Sequence, residues 1–134
     1  MLSEEIKKQL IDHAIKAQKG AYTPYSHYDV GAAILTSSGR IIEGANIENA
    51  VYPLGLCAER VAAFKAVFEG EKSFEAIAVV TRNGGTPCGA CRQVLREFSK
   101  ELIVLIANEQ GELTLETTLA DLLPYSFGPE DLES

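Results

Sequence analysis

Three short, nearly unbroken apolar runs limit what this chain can fold into. They are Val30-Gly31-Ala32-Ala33-Ile34-Leu35, Ala76-Ile77-Ala78-Val79-Val80 and Leu102-Ile103-Val104-Leu105-Ile106. Each has the length of a strand, and a strand that is apolar at every position must be covered on both faces. The segments between the runs read as helices. Cys57 to Glu69 carries Val61, Phe64 and Phe68 as part of an apolar face and stops at Gly70, and Cys88 to Phe98 is a second helix. Ahead of the first run, Ser3 is a fitting N-cap for a helix with Glu4 and Glu5 in its first turn. Ile6, Leu10, Ala14 and Ala17 follow at helical spacing, and Gly20 ends it. Ser37-Ser38-Gly39 reads as a hairpin turn into Arg40–Ala45, Leu113–Leu115 as an edge strand, and Leu119 to Leu123 as a helical turn stopped by Pro124. The alternation of helix and strand predicts an α/β sheet covered on both faces, and the hairpin makes that sheet mixed.

The chain has 134 residues without repeats, low-complexity stretches or a Pro/Gly/Ser-rich linker, so one domain spanning 1–134 is expected. The balance of 12 basic and 19 acidic residues gives a formal charge of −7 with no basic stripe. That argues against nucleic acid and against anionic membrane surfaces as partners. No apolar run approaches the roughly 18 residues that span a bilayer. The charged opening from Met1 to Lys8 lacks the apolar core of a signal peptide, so a cytoplasmic location is expected.

There are three cysteines, an odd number that rules out a full disulfide framework. In a reducing compartment, such thiols are metal ligands, redox groups or small buried hydrophobes. All three fall in two short segments, Cys57-Ala58-Glu59 and Pro87-Cys88-Gly89-Ala90-Cys91, each predicted to open a helix. A helix N-terminus stabilises a thiolate. Cys88 and Cys91 share a helical face and can hold one ion, with Cys57 arriving from the other helix. Three thiolates at about 2.3 Å leave a fourth tetrahedral position open, the mark of a catalytic zinc site. Glu59 lies two residues after a ligand, close to the metal without binding it, where a carboxylate can move protons. The pairing of a His or Cys before x-Glu with a later Pro-Cys-x-x-Cys is the signature of zinc deaminases. Two plainer readings stand beside it. A closed structural zinc site needs a fourth ligand, here His13 or His27, and neither has ligand spacing. A Cys-x-x-Cys redox pair leaves Cys57-Ala58-Glu59 unexplained.

Three thiolates and Zn²⁺ sum to −1, which works against acidifying a bound water. Arg60, three residues after Cys57 on the same helical face, is predicted to donate to the thiolates and draw off charge. Arg92 is a second candidate for support around the ligands.

With these residues in place, the chain resembles the small tetrameric cytidine deaminases from about Ala14 to Leu132. Tyr25–Ala33 looks like that family's substrate loop and first strand, and Asn46-Ile47-Glu48-Asn49-Ala50 like its ribose segment. Cys88–Phe98 is similar to its second zinc helix and Leu122–Leu132 to its C-terminal segment. The resemblance implies a three-layer α-β-α sandwich with a five-stranded mixed sheet, and one Zn²⁺ per subunit on Cys57, Cys88 and Cys91. It makes Glu59 the proton shuttle. Asn46 and Glu48 would hold the ribose 3′-hydroxyl, and the backbone at Ala58 and Thr86 would read the base edge. Phe127 would pack on the base from a neighbouring subunit, and Tyr52 would lie at a subunit contact. Tyr28 would lie against the base, although it stands where the family usually has Phe. The hydroxyl this adds must find a partner if buried. The implied activity is hydrolytic deamination of cytidine and 2′-deoxycytidine in pyrimidine salvage, by a homotetramer that shares active sites between subunits. The rivals are a deaminase of another aminopyrimidine nucleoside, such as a blasticidin-type antibiotic, and a non-catalytic zinc module. The Glu48 carboxylate beside the sugar would repel a phosphate and favours a free nucleoside.

Overall fold

The three apolar runs become the three central strands of one five-stranded sheet. In the computed structural model, which describes residues 2–133, the elements are α1 (Glu4–Gln18), β1 (Gly31–Thr36), β2 (Ile41–Ala45), α2 (Ala58–Phe68), β3 (Phe74–Val80), α3 (Gly89–Arg96), β4 (Ile103–Ala107), β5 (Leu113–Thr118) and α4 (Leu119–Leu122). The spatial order is β2-β1-β3-β4-β5. β1 runs antiparallel to both β2 and β3, β3 and β4 are parallel, and β4 and β5 are antiparallel, so the sheet is mixed as expected.

Side chains alternate across the strands and build two cores. Ala33, Leu35, Ala76, Ala78, Val80 and Leu105 pack with Leu10, Ile11 and Ala14 of α1. Ala32, Ile34, Ile77, Val79, Val104 and Ile106 pack with Ala58, Ala62, Ala63 and Ala66 of α2 and Leu95 of α3. Three layers follow directly: α1, the sheet, then α2 with α3. The first helix starts where its cap predicted, with Ile6 N–H donating to Ser3 Oγ at 3.2 Å.

Two glycines allow the helices to sit this close. A Cβ on Gly31 would lie 1.9 Å from the Ala14 carbonyl oxygen of α1. On Gly44 it would lie 2.5 Å from the Ala62 nitrogen and 2.7 Å from the Ala58 oxygen of α2. The expected apolar face of α2 needs correction for the same reason. Phe64 and Phe68 are 45% and 91% exposed and Val61 is only half-buried, whereas the side turned to the sheet is Ala58, Glu59, Ala62, Ala63 and Ala66. Small side chains win that face because the helix backbone lies against Gly44. Strand ends move by one or two residues from the apolar runs, and β5 extends to Thr118. Two 3-10 turns, Tyr52–Leu54 and Pro129–Leu132, carried no sequence signal.

Candidate active site

Cys57 and Cys88 are the N-cap residues of α2 and α3, both in extended backbone conformation, and neither side chain makes a capping hydrogen bond. Their sulfurs are therefore free to face each other in front of two helix N-termini. Cys91 follows in the first turn of α3. The Cys57 and Cys88 sulfurs lie 3.9 Å apart, Cys88 and Cys91 lie 3.4 Å apart, and all three fall within 4.8 Å of one another. They form the only cluster of His, Cys, Asp or Glu able to hold a metal among the described residues. Zn–S bonds of 2.3 Å at tetrahedral angles put sulfurs about 3.8 Å apart, so the donor set fits zinc with little adjustment. His13 instead meets Glu43, its Nδ1 2.6 Å from Oε2, and His27 stays in its loop.

The charges around the thiols suit a metal. The Cys57 thiol is lowered to about 5, first by its hydrogen bond with Cys91 and then by Arg60. The shared proton stays on Cys91, whose own acidity falls because ionising it would set two thiolates side by side in a buried place. Arg60 Nη2 donates to Cys57 Sγ at 3.5 Å, the contact predicted from the spacing. Its Nε is buried and meets no hydrogen-bond partner among the described residues, and the guanidinium charge lies beside the Cys57 and Cys91 sulfurs. Arg92 points elsewhere. Nε donates to the Pro87 carbonyl and Nη1 to the Leu122 carbonyl, both at 2.8 Å, and Nη2 donates to Thr86 Oγ1 at 3.3 Å. It braces the chain just before Cys88 rather than touching a sulfur.

Glu59 is 4% exposed, one of few buried charged residues. Burial, reinforced by the neighbouring Cys57 charge, pushes its carboxyl up to about 7. A carboxyl held there can take and give protons near neutral pH.

Two adjoining cavities meet at this point. The smaller, about 230 Å³, holds Glu59 with Cys57 and Cys88, and is closed by Tyr28, Val30, Thr81 and Thr86. The larger, about 520 Å³, is lined by Glu48, Asn49, Tyr25, Tyr52, Leu56 and Arg60. Asn46 and Cys57 line both, so the two are lobes of one site. Asn46 ties the rim loop: its Oδ1 accepts from Val30 N–H at 2.9 Å and its Nδ2 donates to the Tyr28 carbonyl at 2.8 Å. Glu48 accepts from the Tyr25 and Ser26 amides at 3.0 and 3.1 Å and from the Ser26 hydroxyl. These donors, the Ser26 hydroxyl foremost, hold its carboxyl below the ordinary range. The Tyr28 hydroxyl has its partner in Asn83 Oδ1, at 2.5 Å. Ala58 is fully buried at the start of α2. Tyr52 is 72% exposed and stacks obliquely on Tyr25 at 5.4 Å. Phe127 lines neither lobe. Its carbonyl accepts from Gln93, and its ring is exposed. Ser26, Thr81 and Gly85 line the site, and Asn83 bonds Tyr28 without lining either lobe; no spacing in the sequence marks any of the four.

Residues 4–107 match the family model described as the cytidine and deoxycytidylate deaminase zinc-binding region. The chain is 50% identical over 129 residues to a cytidine deaminase of Halalkalibacterium halodurans, covering 94% of this chain and 97% of that one. It is 49% identical over 128 residues to a cytidine deaminase of Sporosarcina psychrophila, covering 93% of each. Its fold superposes on the crystal structure of cytidine deaminase from Burkholderia pseudomallei with a TM-score of 0.85 and 44% identity, covering 94% of this chain and all of that one.

Proposed function

The chain belongs to the cytidine deaminase family, and from that membership and the site's geometry we propose how it works and on what. It is a zinc-dependent enzyme that converts cytidine and water to uridine and ammonia. The observation that carries this reading is the meeting of three thiols from two helix N-termini beside a buried carboxyl, at the end of a cavity large enough for a small ligand.

Cys57, Cys88 and Cys91 hold the zinc. When bound, zinc supplies an electrophilic centre that makes a nearby water more acidic. Glu59 takes a proton from the attacking water and gives it to the ring nitrogen beside the amino-bearing carbon. It then delivers the water's second proton to the leaving amine. A carboxyl at about 7 suits both the acceptance and the release of each proton. Arg60 offsets the thiolate charge, supported by its contact with Cys57. The base occupies the smaller lobe, beside Tyr28 and the Ala58 and Thr86 backbone. The sugar occupies the larger, with Asn46 and Glu48 at its 3′-hydroxyl; both residues also hold the rim loop. An ionised Glu48 repels phosphate, and 2′-deoxycytidine, which keeps the 3′-hydroxyl, is accepted.

The working form is a homotetramer with shared sites. What supports this is the exposed apolar set of Tyr52, Leu54, Phe68, Tyr125 and Phe127, with Tyr52 already on the rim of the larger lobe. Among the described residues no helix is long and apolar enough to cross a membrane. A reducing cytoplasm, where thiols stay available to zinc, is the compartment, and pyrimidine salvage the role. Zinc-quantified protein is assayed for ammonia from cytidine, 2′-deoxycytidine and cytosine, beside Glu59→Ala. Both nucleosides are turned over, and the variant keeps zinc but loses nearly all activity. Full activity in zinc-loaded Glu59→Ala overturns the assignment.

A further inference from the structure

The loop from Thr23 to Val30 closes one side of the site, and it is held from two directions. On the sugar side, Glu48 and Asn46 grip its backbone. On the other side a separate group, in the loop between β3 and α3, grips a side chain. Tyr28 donates its hydroxyl to Asn83 Oδ1 at 2.5 Å, and the same oxygen accepts from Thr81 Oγ1 at 3.2 Å. Thr81 Oγ1 in turn accepts from Gly85 N–H at 2.8 Å. The Arg82 guanidinium stacks over the Tyr28 ring, 4.7 Å from its centre, and Nη1 donates to the His27 carbonyl at 3.2 Å. The space is made for the hydroxyl: a Cβ on Gly85 would lie 3.0 Å from Tyr28 Oη. His27, the residue before Tyr28, has φ of +55, a conformation that an unrestrained non-glycine residue leaves readily.

We propose that Asn83, with Arg82 stacked behind the ring, is a positioning residue that acts through Tyr28. It locks the rim loop onto the β3–α3 loop, so that the base lobe is formed before substrate arrives. This deepens the function proposed above and rests on it. Tyr28 and Thr86 line the same lobe as Glu59, so the Tyr28–Asn83 bond fixes the distance between two walls of one cavity. Without it, the loop keeps its backbone ties but samples open arrangements. Apparent affinity then falls by the fraction of molecules still formed. Once substrate is bound the walls are in place, so the chemical step is little affected.

The test is a cycle of Tyr28→Phe, Asn83→Ala and the double variant in zinc-loaded protein, with Asn83→Asp as the rescue. Each single variant raises KM for cytidine about fivefold, the worth of one neutral hydrogen bond, while kcat moves less than twofold. The double variant is no worse than either single one, because both remove the same bond. Asn83→Asp, which keeps an acceptor oxygen, restores KM to within twofold of the parent. Additive effects, or unchanged KM in both single variants of an active parent, overturn the proposal. A second readout needs no turnover. Backbone amide exchange at residues 25–30 of the substrate-free protein is faster in Tyr28→Phe and Asn83→Ala than in the parent, and unchanged exchange overturns the lock. A parent that shows the exchange difference but releases no ammonia from cytidine overturns the function and leaves the lock standing.

Discussion

Replacing Gly44 by alanine is expected to unseat helix α2 and, with it, one zinc ligand. The added methyl would lie 2.5 Å from the Ala62 nitrogen, 2.7 Å from the Ala58 oxygen and 2.9 Å from the Ala62 Cα, all backbone atoms that no rotamer change can clear. Ordinary contact begins at 3.4 Å, so the first turns of α2 must retreat by up to about 0.9 Å. Retreat on that scale forfeits a quarter to a half of the dispersion between Ala58, Ala62 and the sheet. With the strain left in the backbone, the loss of stability is about 2–4 kcal/mol. Cys57 is the cap of this same turn, and metal sites tolerate roughly 0.2 Å in ligand position. Zinc affinity should therefore fall about 10- to 100-fold.

Gly89→Ala is the control. No described residue lies within 4 Å of a Cβ there and the residue is helical, so the same chemical change should stabilise, by up to about 1 kcal/mol. Urea unfolding followed by tyrosine emission suits a chain with five Tyr and no Trp, and competition with a chromogenic chelator reads the zinc affinity. A Gly44→Ala protein within about 0.5 kcal/mol of the parent, with unchanged zinc affinity, refutes the close-approach argument.

Other expectations follow from the charges at the site. Glu59→Gln should make the zinc-free chain more stable, by an amount that grows with pH. The folded carboxyl titrates at about 7 and the unfolded one near 4.5, so its favourable neutral form is lost as pH rises through 7. The gain should be about 2–3 kcal/mol larger at pH 8.5 than at pH 5, and equal gains at both would sink the idea. In zinc-free protein, Arg60→Ala should move the alkylation midpoint of Cys57 upward from about 5, by less than the whole shift because the Cys91 hydrogen bond is the larger cause; an unmoved midpoint removes Arg60 from the charge balance. Cytidine monophosphate should be turned over at least tenfold less efficiently than cytidine, and Glu48→Gln should narrow that gap; equal kcat/KM in the parent refutes the repulsion at the sugar.

The strands were legible because the pattern that specifies them is strong and local. A run such as Ala76–Val80 has no polar face to turn outward, so it can only be central, and the runs occupy the three central places in the sheet. The face of α2 was not legible in the same way. Aromatic residues at helical spacing suggested a core, but Phe64 and Phe68 point outward and alanines face the sheet. The deciding fact is the approach of α2 to Gly44 on another strand, and no pattern within the helix carries it.

At the site the same division separates ligands from the residues that hold them. Cys57, Glu59, Cys88 and Cys91 were readable because zinc chemistry demands particular atoms, and a helix start fixes how far apart they lie in sequence. Arg60 was readable because three residues along a helix is a spatial distance. Asn83 was not, because its role depends on a tyrosine 55 positions earlier that reaches it only after β1 and β3 have paired. The one hint lay in Tyr28 itself. A buried or half-buried hydroxyl where a plain ring would serve needs an acceptor, and the chain supplies Asn83 with Gly85 beside it to leave room. An unexplained polar atom in a sequence thus points to a partner that sequence spacing cannot name, and the fold supplies it from the neighbouring loop between β3 and α3.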